Sequence, residues 1–185
     1  DARKEETATE MFAHVEDTIG PIEICIFNVG GNVYFPILET TERVFRKVWE
    51  MCAYAAFLSG REAAKYMVER QKGSIFFTGA TASVRGGLGY AAFASGKFAL
   101  RGLAQSMARE LGPKNIHVAH LVIDAGVNTE FVRDRLRKAG ENPDCLPPDA
   151  LMTPSSIAEA YWNLHHQQRD GWTQELDIRP WAETW

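Results

Sequence analysis

Two groups that exchange protons when they are close, a phenol and an ammonium, stand seven positions apart at Tyr90 and Lys97. A tyrosine hydroxyl ordinarily titrates near pH 10, so it works as an acid–base at neutral pH only beside a cation. Seven helical residues span about 10.5 Å, against about 6 Å for four, and the attraction falls with distance and with screening. The spacing therefore favours Tyr90 as an aromatic packed at a helix start, with acid–base work as its alternative. Hydroxyls stand nearby at Thr78, Thr81 and Ser83. Cys52 reads as a small core residue rather than a nucleophile, because a reactive thiol needs exposure and a cationic neighbour. His165 and His166 are adjacent; on a helix they point about 100° apart, so they cannot chelate as a pair and read as solvated surface. Cys25, Cys52 and Cys145 lie far apart with no CxxC spacing, the pattern of reduced thiols in a cytoplasmic protein, with no disulfide framework and no metal site expected.

The elements that must position these groups alternate between helices and short apolar runs. Residues 4–18 are helix-like, with Met11, Phe12 and Val15 on one face, and Gly20-Pro21 stops them. Ile22 to Phe27 is a β-branched and aromatic run closed by Asn28-Val29-Gly30-Gly31, a buried strand ending in a glycine turn. Thr40 or Thr41 can cap a long helix to about Arg70, along which Val44, Val48, Cys52, Ala55, Ser59 and Ala63 form a stripe that grows small-sided. Gly73-Ser74 opens a strand through Thr78, a Gly/Ala/Ser-rich loop covers 79–89, and a helix over 90–111 ends at Gly112-Pro113. Ile116 to Ile123 is a third strand, residues 140–154 a proline-rich loop, 154–168 a helix and 174–178 a closing strand. Apolar strands alternating with longer helices predict one α/β domain over 1–185, a doubly wound parallel sheet covered on both faces. Ligands then sit beyond the carboxyl ends of the strands, at Asn28–Asn32, Thr78–Ser83 and Asp124–Thr129.

A net charge of −4 and a pI near 5.8 provide no basic field for nucleic acid. The longest apolar stretches fall short of the roughly 20 residues of a membrane helix, and the charged opening DARKEETATE shows no leader pattern.

The strand ends and the helix after the second strand resemble the short-chain dehydrogenase/reductase family over essentially the whole chain. Ile22–Gly30 looks like the family's central strand ending in Asn-Asn-Ala-Gly, with Asn28 and Gly30 at its second and fourth positions. Asp1-Ala2-Arg3 resembles the segment whose Asp contacts adenine, Phe93-Ala94-Ser95-Gly96-Lys97 the Tyr-x-Ser/Ala-x-Lys segment, and Pro154–Ala158 the Pro-x-x-Ile-Ala helix start. The resemblance implies a Rossmann-like fold and hydride transfer, with NAD or NADP, to or from a small carbonyl or alcohol. It implies cofactor contacts at Asp1, Asn28, Gly30, Lys97 and Thr129, and a substrate-side loop over 131–153. It also implies a homodimer or homotetramer joined through the small-residue stripe and the helix 90–111.

Aligned on those motifs, the sequence departs from the family at three of four catalytic positions: Phe93 stands at the tyrosine, Ala80 at the serine and Cys52 at the asparagine, while Lys97 is retained. Neither a benzyl ring nor a methyl group has a proton to exchange, so the family's usual mechanism is unavailable; Tyr90 is the candidate substitute nearby, with packing at the helix start the favoured reading. Asp124 replaces the Pro-Gly that usually follows the third strand; there it could repel an anionic substrate or cap the following segment, the second being favoured. No Gly-x-x-x-Gly-x-Gly occurs. By the resemblance, about 50 to 60 residues are expected ahead of Asp1, and without them Ile22–Phe27 is a bare sheet edge. An incomplete record is favoured over a second polypeptide covering that edge. The aromatic ending Trp172, Trp181 and Trp185 suggests a second interface or lid, or packing on the chain's own core.

Overall fold

The computed structural model describes residues 1–183. Four strands, β1 (Ile24–Phe27), β2 (Gly73–Thr78), β3 (Ile116–Ile123) and β4 (Glu175–Ile178), form one sheet in the order β1-β2-β3-β4. Every pairing is parallel, with Phe27 beside Phe77, Phe77 beside His120 and Leu121 beside Leu176. The expected α/β parallel sheet is thus present. Strand β1 has a sheet neighbour on one side only among the described residues.

Alternation of side chains along β2 decides which helices cover which face. Ile75 and Phe77 face the same core as Phe27, Ile116 and Val118, closed by Phe12 of α1 (Glu5–Thr18), Ala63 and Met67 of α3 (Ala55–Arg70), and Leu100 and Ala104 of α4 (Ala91–Leu111). Phe76 points to the opposite face with Ala119 and Leu121, covered by Tyr161 and Leu164 of α6 (Pro154–His165). Seven of the eight residues of β3 are buried, as a central strand covered twice requires.

The long helix expected from Thr40 or Thr41 to about Arg70 is present, widened at one turn. The Thr41 side chain caps α2 (Glu42–Trp49), accepting from the Val44 N–H at 3.2 Å, and a π-helical turn over Glu50–Tyr54 carries Cys52 before α3 begins. The small-residue stripe is internal: Cys52, Ala55 and Ala63 are fully buried and Ser59 nearly so. It packs against the chain's own sheet and α4, so it cannot supply the contact between subunits assigned to it. Residues 131–153 are not simply a loop either. Thr129 caps a helix, α5 (Glu130–Lys138), and a short 3-10 turn follows at Pro143–Cys145. No helix is long and apolar enough to cross a membrane among the described residues.

At the carboxyl-terminal end, Trp172 stacks on His117 with centroids 4.9 Å apart, and its indole N–H donates to the Gln167 carbonyl at 3.2 Å. Trp181 stays largely exposed, its indole N–H on the Pro148 carbonyl at 3.0 Å. Trp185 lies outside the described residues.

Candidate functional site

Lys97 is buried, 3% exposed, although it carries an ammonium. Helix α4 starts at the carboxyl ends of β2 and β3, and nearly two turns inside it the Lys97 Nζ donates to the Thr78 carbonyl at 2.7 Å. The ammonium is therefore at the strand edge, where a doubly wound sheet places its ligands. It lies 5.8 Å from the centroid of the Phe93 ring, one turn earlier on the same face. Burial pulls the Lys97 pKa down, opposed by the nearby Cys52 thiol; burial pushes Cys52 up, opposed by Lys97. A thiol held in that way is a packing group, as its sequence context suggests.

One apolar cluster gathers Cys52 and Phe93 with Val48, Ala82 and Ala92, and Ala80 and Tyr90 pack against it. The close approach of the π-turn to α4 depends on Gly96, where an added Cβ would lie 2.8 Å from the Cys52 Cβ. Residues far apart in the chain, 52, 80, 90, 93 and 97, thereby meet at one place.

Above them opens a cavity of about 310 Å³ lined by Asn32, Thr81, Arg85, Tyr90 and Phe93, with small residues at Ala80, Ala82, Gly86, Gly87 and Ala125 that make its room. That volume suits a small ligand. The Tyr90 hydroxyl oxygen accepts from Arg135 Nη2 of α5 at 3.1 Å. Sequence reasoning missed this cation because it left 131–153 as a loop; the Thr129 cap and the dense charge of Glu130–Lys138 were the available signal.

Asp124 neither caps a helix nor presents a bare charge. It is 4% exposed, accepts from the Thr81 hydroxyl, and stands 3.3 Å from Arg179 Nη1 and 3.7 Å from Arg85 Nη2. The helix cap after β3 is Thr129, whose hydroxyl accepts from the Val132 N–H. Arg85 also stands 3.7 Å from Glu183.

Of the residues that the family resemblance assigns to the cofactor, Lys97 belongs to the cluster above, whereas Asn28 and Thr129 come together elsewhere at the strand ends. Asn28 and Thr129 line one cavity of about 510 Å³ together with Ile24, Ile26, Ile123 and Val127, and nothing lies within 4 Å of a Cβ added at Gly30. Asn28 and Thr129 bring an amide and a hydroxyl to this largely apolar wall, groups that can hold the polar end of a ligand. Asp1 stands apart: its carboxylate is engaged by Arg3, with Nη2 to Oδ2 at 2.7 Å.

The histidines divide differently from the expectation of an exposed pair. His166 is exposed, but His165 is half-buried, with Nδ1 3.0 Å from the Ser74 hydroxyl. His120 is wholly buried, its Nδ1 3.0 Å from Glu175 Oε2 while Arg101 grips the same carboxylate through two bonds of 2.7 and 2.6 Å. Among the described residues no three His, Cys, Asp or Glu side chains gather as for a metal ion.

Comparison with known proteins agrees with this architecture. The family model for short chain dehydrogenase matches residues 1–139. The chain is 26% identical over 161 residues to the 3-oxoacyl-[acyl-carrier-protein] reductase MabA of Mycobacterium tuberculosis, covering 85% of this chain and 64% of that protein. The chain thus spans less than two thirds of the length of this curated relative. A crystal structure of a short-chain dehydrogenase from Rhodopseudomonas palustris superposes with a TM-score of 0.80 at 52% identity, over 98% of this chain and 72% of that one. The structure of ElxO with NADP bound superposes with a TM-score of 0.87 at 20% identity, over 97% of this chain and 74% of that one, a likeness of fold. With a parallel α/β sheet, a buried lysine at its carboxyl edge and a family model matched over three quarters of its length, the chain belongs to the short-chain dehydrogenase/reductase family, whose cofactors are NAD and NADP.

Proposed function

We propose that this chain carries the substrate side of an NAD- or NADP-dependent oxidoreductase that interconverts a small carbonyl compound and its alcohol, with an atypical catalytic set. The observation that carries this reading is the buried Lys97 ammonium at the carboxyl end of β2, on the Thr78 carbonyl and beside Phe93, next to a cavity of about 310 Å³. When bound, the nicotinamide supplies or removes a hydride. Thr129 would hold its carboxamide, Asn28 at the end of β1 would border the adenine ribose, and Lys97 would orient a ribose hydroxyl. Phe93, Ala80 and the small residues of the 79–89 loop shape the substrate cavity.

A second reading, a relative that binds cofactor without turnover, is favoured by the chemistry of Phe93 and Ala80, neither of which has a proton to give. Installing a phenol and a hydroxyl separates the two. If the parent chain reduces small aldehydes or ketones with NADPH or NADH, the enzyme reading stands. If it binds the nucleotide without turnover and only the double variant F93Y/A80S turns over, the binding-subunit reading replaces it.

Assembly is inferred to use copies of the same chain. Support comes from apolar side chains left on the outer sides of α2, α3 and α4, where Phe45, Trp49, Phe57 and Phe98 are each about 40% exposed. Three free thiols, Cys25, Cys52 and Cys145, suit a reducing cytoplasmic setting.

A further inference from the structure

We propose that Tyr90 is the proton donor of this site and that Arg135 positions it. The inference rests on the oxidoreductase reading and names the group that the benzyl ring of Phe93 and the methyl of Ala80 cannot be. Along the wall of the 310 Å³ cavity the other polar side chains are already engaged or are not acids. The Thr81 hydroxyl proton is given to Asp124, and Arg85 stands between Asp124 and Glu183. The Asn32 carboxamide is not an acid. Among the described residues on this wall, the Tyr90 phenol is the remaining acid with a proton to transfer, and it shares that wall with Ala80 and Phe93.

The cation is the second argument. Lys97 stands seven residues away, about two helical turns, with one of its three N–H donors on the Thr78 carbonyl and the others left for a ribose hydroxyl. On α5, Arg133 pairs with Asp144, and Arg137 with Glu130 and Asp134, whereas Arg135 directs Nη2 at the Tyr90 oxygen from 3.1 Å. An oxygen that accepts from a guanidinium keeps its own O–H available to a substrate, and negative charge appearing on it meets a fixed positive one.

The phenol is also held in place. Gly89 adopts φ +76°, and a Cβ there would lie 2.3 Å from the Tyr34 ring. The missing side chain lets Tyr34 stand edge-on to Tyr90, with centroids 5.4 Å apart at 77°. The Phe35 N–H donates to the Gly89 carbonyl at 2.8 Å, tying the two segments.

In reduction, a bound reduced nicotinamide would supply a hydride to the carbonyl carbon and be left oxidised, while the carbonyl oxygen takes the Tyr90 proton to become a hydroxyl. The phenolate oxygen that remains is held by Arg135 until solvent returns a proton.

The test uses the full chain, NADPH and NADH, and a panel of small aldehydes and ketones. Y90F is expected to lower kcat at least 100-fold. Its affinity for NADPH, followed by nucleotide fluorescence, should stay within about two-fold of the parent, while an unreactive amide analogue of the accepted carbonyl binds at least five-fold more weakly. R135Q should lower kcat at least ten-fold and change the shape of the pH–rate profile, with R135K recovering at least half of the loss. Should Y90F lose its thermal unfolding transition, R135Q, altered at an exposed side chain, carries the same test. Parental kcat in Y90F, or parental amide affinity, overturns the assignment of Tyr90 alone and leaves the oxidoreductase reading intact. A parent that binds nucleotide but reduces nothing, while F93Y/A80S does, overturns that reading and this one with it.

Discussion

Asp124 joins three segments through one carboxylate: the loop after β2 through Thr81 and Arg85, the end of β3 through its own backbone, and the residues after β4 through Arg179. A buried acceptor engaged by a hydroxyl and two guanidiniums costs more to remove than to keep, because its partners lose a charged acceptor without regaining full hydration. Asp124→Ala is expected to lower stability by about 2 kcal/mol, read as a shift of the urea midpoint at unchanged slope. An unchanged midpoint would show that solvent replaces the carboxylate at no cost. The same residue shows where sequence reading stops. Position 124 at a strand end identifies a group near the ligand edge, but Thr81 and Arg179 come from 43 residues before and 55 after, and no local spacing announces them. Lys97 was legible because its role depends on a four-residue helical step; Arg135 was not, because its link to Tyr90 crosses two elements.

At the scale of elements, the junction of the π-turn and α4 determines whether the site's residues meet. Helices approach this closely only where one side carries no Cβ, and Gly96 faces the Cys52 Cβ, which cannot swing away as a long side chain would. Gly96→Ala should therefore destabilise by about 1–3 kcal/mol despite the better helix propensity of alanine. A stability equal to or above the parent in thermal melts would mean that the two backbones part without loss. The small residues on both helices predicted close packing, yet a 3.6-residue period cannot reveal the widened turn over Glu50–Tyr54, because the apolar stripe continues through it. Helix α5 escaped for the opposite reason. None of its residues is fully buried, its inward side is only the half-buried pair Val132 and Leu136, and the prolines after it drew the whole stretch into a loop.

Over the whole molecule, the parallel order β1-β2-β3-β4 follows from apolar strands separated by covering helices, and it was legible before any coordinate. The charged network inside that sheet was not. His120 lies beneath α4, faced by Lys97 and Arg101 from that helix and by Glu175 from β4, and its Nε2 fills the place where a side chain at position 79 would stand. Burial holds the His120 pKa below the ordinary histidine range, with Glu175 opposing; burial likewise depresses His117, against the carbonyls of Thr173 and Leu164. The unfolded chain begins to take up these protons near pH 6.5, whereas the folded chain resists until lower pH. Stability is consequently complete above about pH 6.5 and declines as pH falls below it, because the unfolded state then binds more protons. Glu175, on balance held below its ordinary carboxylate range by Arg101 and His120 despite burial, adds a further loss nearer pH 4. Thermal midpoints measured from pH 8 to pH 5 should stay level and then fall by several degrees. In His120→Asn, whatever its midpoint at pH 8, the slope between pH 6.5 and pH 5 should be shallower than in the parent. Equal slopes would place the proton uptake on other groups and leave the buried His120–Glu175–Arg101 link without a part in the acid response.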